Sequence, residues 1–366
     1  MSMGTNQIGY EIDFLPVGEG ERSGDAIALR FGNLLVDPPQ QTVVIIDAGY
    51  QKSGEALVSH VKTFYKTDHV DAVVSTHPDG DHASGLEVVL NEMKVECLLM
   101  HQPWNNTDGI SDFFQDSRVT DESVKNVVRA SLDNARSLEK LAIQKKIRIV
   151  EPFWGVTGFN KTMRVLGPTQ EFYKSLLPGY RATPEPKEDA GTFGQFIIKA
   201  KEVIQNIAER WDFETLDDSG ETSAENNSSA ILLFTVGDES LLFTADAGIP
   251  ALTEAVARLQ QENFDFSKLK FIQVPHHGSK RNIGPTLLNI LIGSRLAQAA
   301  TVKTAFASVS PDGAPKHPAK KVTNAFLRRG APVHVTAGGS KCHRSNAPDR
   351  GWTSSTPLPF YDEVQE

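Results

Sequence analysis

Four apolar runs in this chain end at residues able to bind metals or move protons. Val43-Val44-Ile45-Ile46 ends at Asp47, and Val73-Val74-Ser75-Thr76 runs into His77-Pro78-Asp79-Gly80-Asp81-His82. Leu241-Leu242-Phe243 leads to Asp246, and Phe271-Ile272-Gln273-Val274 leads to Pro275-His276-His277. Short apolar runs of this kind read as buried strands, and loops at strand ends are where α/β folds place their chemistry. The chain is therefore expected to be an α/β protein with a polar site built from several strand ends.

The pattern between these runs supports that class. Strands are expected over residues 11–17, 25–31 and 43–47, followed by a helix over 54–65 whose apolar residues Leu57, Val58, Val61 and Phe64 fall at helical spacing. A strand at 71–75, a loop at 77–85, a helix at 86–93 and a strand at 95–100 continue the rhythm. From about 103 to 225 it changes, with one strong amphipathic helix carrying Val124, Val127, Val128, Leu132, Ala135 and Leu138, then strands near Arg148 and Met163. Acidic and Pro-rich loops at 181–191 and 212–225 are expected to flank a helix at about 193–210. The β/α alternation resumes at Ala230, with strands at 230–235, 241–244, 271–274, 304–308 and 333–336 and helices after Pro250 and Pro318. The reading is one domain over 1–366, a mainly helical insertion at about 103–225 and a loop-rich tail at about 338–366.

Composition narrows the function. With 366 residues and 39% hydrophobic content a large core is available, and a net charge of −9 leaves no global basic footprint for coating nucleic acid. Only two cysteines, Cys97 and Cys342, are present, so neither a disulfide scaffold nor a Cys-rich zinc module is expected. No run reaches the roughly 18 apolar residues of a membrane helix, and no secretory leader is visible at residues 1–14, which points to the cytoplasm.

The segment His77–His82 places two imidazoles and two carboxylates within six residues at the mouth of a strand. In a tight loop positions 77, 79 and 81 can point one way and His82 the other, serving two adjacent metal ions. Imidazole nitrogen and carboxylate oxygen suit Zn²⁺, Mn²⁺ or Fe²⁺ at about 2.0 to 2.2 Å. Of His276 and His277 one is expected to be a ligand and its neighbour a supporting or acid/base group, with the assignment open. Asp246 can bridge two metals or simply cap a turn, and Asp47 can orient a ligand histidine by hydrogen bonding. Lys280 and Arg281, with Lys316, Lys320 and Lys321 around His317, form a local basic rim suited to phosphate oxygens. Trp104, Phe113 and Phe114 are candidates for a stacking wall or, more simply, for core.

These pieces together resemble the metallo-β-lactamase superfamily, and within it the soluble hydrolase part of ComEC-type competence proteins. The resemblance rests on Val17-Gly18-Glu19-Gly20 with Asp25-Ala26-Ile27, on His77-Pro78-Asp79-Gly80-Asp81-His82, on Asn226-Asn227-Ser228-Ser229, on Thr244-Ala245-Asp246, on Pro275-His276-His277-Gly278-Ser279 and on His317-Pro318. It implies a four-layer αββα sandwich with one or two divalent ions, Zn²⁺ or Mn²⁺, at one edge of the sheets. The implied ligands are His77, Asp79, Asp81, His82, Asp246, His276 and His277, with Asp47 behind them. Asp81 would position or deprotonate a metal-activated water, and His317 would protonate a leaving oxygen or hold a phosphate. Ser279, Lys280 and Arg281 would face the substrate. Asp79 stands where most of the superfamily has His, which makes the set oxygen-rich and favours Mn²⁺ or a mixed site. The implied activity is that of a phosphodiesterase or nuclease acting on a phosphodiester, nucleotide or nucleic acid, with the 103–225 segment as a surface for a protein partner. Hydrolysis of a small ester, thioester or lactone, or a non-catalytic metal- or nucleotide-binding role, are the alternatives.

Overall fold

The computed structural model describes residues 8–18, 22–114, 118–181, 183, 206–313 and 316–365. Two seven-stranded sheets carry the architecture. The first runs in the order Lys341–Ser345, Gly9–Phe14, Ala26–Asn33, Gln40–Ala48, Ala72–Ser75, Cys97–Met100 and Arg148–Val150. The second runs Val333–Val335, Thr304–Ala307, Leu269–Gln273, Glu239–Phe243, Ile231–Val236, Met163–Gly167 and Thr157–Gly158.

Side-chain alternation along the strands explains why these sheets stack and why helices cover them. In Gln40–Ala48, Val44 and Ile46 enter the core between the two sheets, while Val43 and Ile45 face a separate core with Leu57, Val61, Leu86 and Leu90 from the covering helices. Glu239–Phe243 does the same on the other side. Leu241 and Phe243 meet the first sheet, and Leu242 packs with Leu252, Val256, Leu288 and Phe326 of the outer helices. Strands buried on both faces need apolar residues at every position, which is why they read as continuous runs. The result is helix, sheet, sheet, helix, the αββα order expected from the sequence. Each fully buried Val, Leu, Ile or Phe in these layers contributes about 1.5–3 kcal/mol.

Several boundaries differ from the sequence reading for local reasons. The single amphipathic helix is two, Asp121–Ser131 and Asp133–Lys145, separated at Leu132, whose ψ of 65° is non-helical. Val124 and Val128 belong to the core of the second sheet, whereas Ala135, Leu138 and Ala142 belong to that of the first, so the chain must turn as it passes from one to the other. Residues 77–85 contain a helical turn, Gly80–Ala83. A helix at Pro285–Leu291 had not been anticipated. The helix expected at about 193–210 lies mostly outside the described residues, and its end, Asn206–Ala208, is a strand paired with Glu363–Gln365. In the tail, Lys341–Ser345 pairs with Gly9–Phe14. The 103–225 stretch contributes Arg148–Val150 to one sheet and Thr157–Gly158 and Met163–Gly167 to the other.

Within the first sheet Gln40–Ala48, Ala72–Ser75 and Cys97–Met100 are parallel, and within the second Glu239–Phe243 and Leu269–Gln273 are parallel. Their carboxyl ends meet at one edge of the sandwich, which brings Asp47, His77, Asp246 and His276 together.

Candidate metal centre

The backbone leaves its strands abruptly at this edge. Asp47, Ala245, His276 and His277 adopt φ values of 52°, 45°, 47° and 56°, a left-handed region that costs a non-glycine residue about 1–3 kcal/mol each. Gly278, at φ 88°, lets the following turn lie against Pro318, whose Cβ would sit 2.5 Å from an added methyl group. That close approach seats His317 beside the paired histidines, its ring centroid 5.5 Å from His276 and 6.0 Å from His277.

Supporting hydrogen bonds then fix the imidazoles. Asp47 accepts from the Thr76 backbone N–H at 2.9 Å and from Thr76 Oγ1 at 2.6 Å, and its Oδ2 lies 2.8 Å from His82 Nδ1. Thr76 Oγ1 is also 3.0 Å from His77 Nδ1. On the opposite sheet His276 Nδ1 lies 2.9 Å from Asn282 Oδ1 and 3.2 Å from Asn226 Nδ2. A ring nitrogen held from behind aims the other nitrogen forward.

Forward of these supports, the polar atoms converge on one another. Asp246 Oδ1 is 3.3 Å from His82 Nε2 and 3.9 Å from His277 Nε2, and Asp246 Oδ2 is 3.4 Å from His276 Nε2 and 3.8 Å from His77 Nε2. Asp81 Oδ2 lies 3.9 Å from His277 Nε2 on the open side. Asp25, which joins this cluster although the sequence reading gave it no role there, places Oδ2 3.6 Å from His82 Nδ1 and accepts from Gln273 Nε2 at 2.8 Å. Three ligand-spaced triads result: Asp47, His77 and His82; Asp81, His82 and His277; and Asp25, Asp246 and His277.

The donor set fits divalent cations on a structural criterion. Buried polar atoms are nearly always hydrogen-bonded, yet His77 Nε2, His82 Nε2, Asp246 Oδ1, Asp25 Oδ1 and both ring nitrogens of His277 have no such partner. All belong to imidazole or carboxylate groups, the ligand chemistry of Zn²⁺ and Mn²⁺. Electrostatics agree. Burial opposes ionisation of Asp246, but the imidazoles of His276, His82 and His277 hold its carboxyl well below the usual carboxylate range. Burial likewise disfavours charge on His82, and Asp246 and Asp47 overcome it and raise its pKa. Burial pushes the Asp25 carboxyl up and the His277 imidazole down.

Other residues singled out from the sequence have different surroundings. Asp79 forms an ion pair with Arg181 and belongs to none of the ligand-spaced groups among the described residues. The His317 imidazole is pushed down to about 3, by burial first and then by His277 and His276. Ser279 is buried and its Oγ accepts from the Arg281 backbone N–H at 3.3 Å. Asp217, kept low by hydrogen bonds from Ser219, is lowered further by Lys321 and Lys280, so an acidic loop faces the basic rim. Lys321 is itself buried, and Lys320 lies over the Tyr361 ring. Trp104 and Phe114 are core residues and form no stacking wall, while Phe113 is exposed. Asn226, Asn282, Gln273 and Thr76 were not assigned from the sequence; isolated amides and hydroxyls give no signal of their own.

Residues 34–96 match the family model of the metallo-beta-lactamase superfamily. Over those residues the chain is similar to that superfamily. The matched segment holds Asp47, His77, Asp79, Asp81 and His82. No curated protein sequence matches the chain. Among solved structures it is similar to a metallo-beta-lactamase candidate from Thermotoga maritima, with 12% identity and a TM-score of 0.34 over 70% of this chain and 92% of that one. It is also similar to unliganded yeast PDE1, at 11% identity and TM-score 0.41 over 90% and 97% of the two chains. The long form of yeast RNase Z gives 10% identity and TM-score 0.36 over 84% of this chain, which spans only 38% of that protein.

Proposed function

We propose that this cluster holds one or two divalent cations, Zn²⁺ or Mn²⁺, and that the protein is a metal-dependent phosphodiesterase or nuclease like the hydrolase part of ComEC-type competence proteins. The observation that carries the reading is the convergence of His77 Nε2, His82 Nε2, Asp246 Oδ1 and His277 Nε2, all buried and none hydrogen-bonded. His77, His82, Asp246, His276 and His277 hold the cations, with Asp81 and Asp25 completing the set. Bound divalent cations supply Lewis acidity and bring the pKa of water towards neutrality.

This chain's own groups do the rest. Asp47 and Thr76 lock His82 and His77 from behind, and Asn282 does so for His276. Asp81, on the open side, takes the proton of the water that attacks phosphorus. The P–O bond to the leaving oxygen breaks, and that oxygen takes up a proton, from His317 beside the paired histidines or from solvent at the mouth. Ser279, Lys280 and Arg281, which follow His277 and Gly278, are the side chains proposed to face phosphate oxygens.

The test is turnover of bis-p-nitrophenyl phosphate against a lactone and a β-lactam, with Mn²⁺ or Zn²⁺ added. Phosphodiester turnover should dominate, and Asp81→Ala should lower it by about 100-fold or more without unfolding the protein. Preferred turnover of the lactone or β-lactam overturns the substrate class. An Asp81→Ala protein as active as the parent overturns the role of Asp81.

A further inference from the structure

Asp79 sits in the middle of the ligand-rich loop, yet it belongs to none of the ligand-spaced groups among the described residues. Its carboxylate is taken by Arg181, a residue 102 positions further along the chain. The guanidinium is anchored independently. Glu225 Oε1 accepts from the Arg181 backbone N–H at 2.8 Å and from its Nε at 3.0 Å, and Glu225 is buried. The Arg181 side chain is 68% exposed and spans from buried Glu225 to Asp79.

The Asp79 backbone is fixed independently of its side chain. Its carbonyl accepts from the N–H groups of His82 and Ala83, at 3.1 and 3.0 Å. It occupies the position before the turn Gly80–Ala83, but its carboxylate caps no backbone N–H there. Rotation of that side chain changes its partner without disturbing His82.

We infer that Arg181 competes with a divalent cation for the Asp79 carboxylate, so that the centre has one strong cation site and a second whose affinity Arg181 holds down. The inference rests on the metal-binding reading above. One carboxylate shared between a fixed guanidinium and a cation couples the two equilibria, and couplings of this kind change affinity by about 5- to 150-fold. Arg181 acts through Asp79 and is a positioning residue. It supplies positive charge where a nitrogen-poor ligand set would bind its second cation least well.

Calorimetric titration of the metal-free full chain with Mn²⁺, and separately with Zn²⁺, tests this. The wild type should take one ion per chain tightly and a second at least about tenfold more weakly. Arg181→Gln should tighten only the second, by about tenfold. Asp79→Asn should remove the second site and make Arg181→Gln silent, as a double-mutant cycle requires. Arg181→Lys, which keeps the charge but loses the planar fork, should tighten the second site by a smaller factor, and it serves if the Gln variant does not fold. An unchanged or weakened second site in the Arg181 variants overturns the inference alone. So does equal tightening in the Asp79→Asn background, which would show a general charge effect. A wild type that binds no ion overturns the metal reading and the inference together.

Discussion

Among the described residues two largely buried clusters have ligand-like spacing, and they differ in what surrounds their acids. At the far edge of the first sheet Glu11, Asp13 and Cys342 lie within ligand distance of one another, as do the histidines and acids of the candidate centre. There the chain's own cations meet the carboxylates. Arg30 Nε and Arg350 Nε donate to Glu11 at 2.7 Å each, and Arg350 Nη2, His60 and Tyr65 OH surround Asp13 at 2.6 to 2.9 Å. Both acids are fully buried and neither leaves an oxygen unpartnered. In the candidate centre the carboxylates face imidazoles, and the facing atoms stay unpaired. Spacing alone does not make a cation site; what matters is whether the protein already neutralises the charge it buries. The first cluster is a clasp that ties the segment around Arg350 to the strand Gly9–Phe14, and the second is the proposed cation centre.

The largest effect expected from breaking this contrast is on stability. Arg350→Ala removes the guanidinium from two buried carboxylates, and urea unfolding should show a loss of about 3–5 kcal/mol, with cation binding by the folded protein unchanged. Loss of binding there would mean that the two regions are one functional unit. Next comes stabilisation by added metal. Mn²⁺ or Zn²⁺ at 100 times its dissociation constant should stabilise the folded chain by about 2.7 kcal/mol, read as a rise in Tm that a chelator reverses. Asp246→Asn should abolish most of that rise and Glu11→Gln none of it; equal losses would erase the distinction. The smallest effect is on acid stability. Burial raises the Asp13 carboxyl, but His60 and Arg350 outweigh it and hold it below the usual carboxylate range. A carboxylate depressed on folding stabilises above its unfolded pKa, and the contribution is lost as pH falls through the folded one. The urea midpoint should therefore drop below about pH 4, and Asp13→Asn should flatten that drop.

How much of this was legible in the sequence depends on the range of the interaction. Continuous apolar runs such as Val43–Ile46 and Leu241–Phe243 gave the strands and their polar ends, because a strand buried on both faces has no room for another pattern. The convergence of His77, His82, Asp246 and His277 was legible as three strand-end signals, since His77 and His82 share one loop. The partner of Asp79 was not, since nothing near it in sequence points to Arg181. The break at Leu132 was hidden for a related reason: helical periodicity is continuous through it, and only the existence of two cores shows why the helix stops. Trp104 looked available for stacking until its indole N–H was found donating to Glu139 at 3.0 Å inside the core. Asp25 was visible only as part of a resemblance, and its burial against Gln273 gives it a place in the centre.

The most direct test of the central claim is anomalous X-ray diffraction from crystals of the full chain grown with Mn²⁺ and measured at the manganese edge. The account predicts a peak bounded by His77, His82, His277 and Asp246 and none beside Glu11, Asp13 and Cys342. A manganese peak at the clasp, or an empty map among those imidazoles, would contradict it.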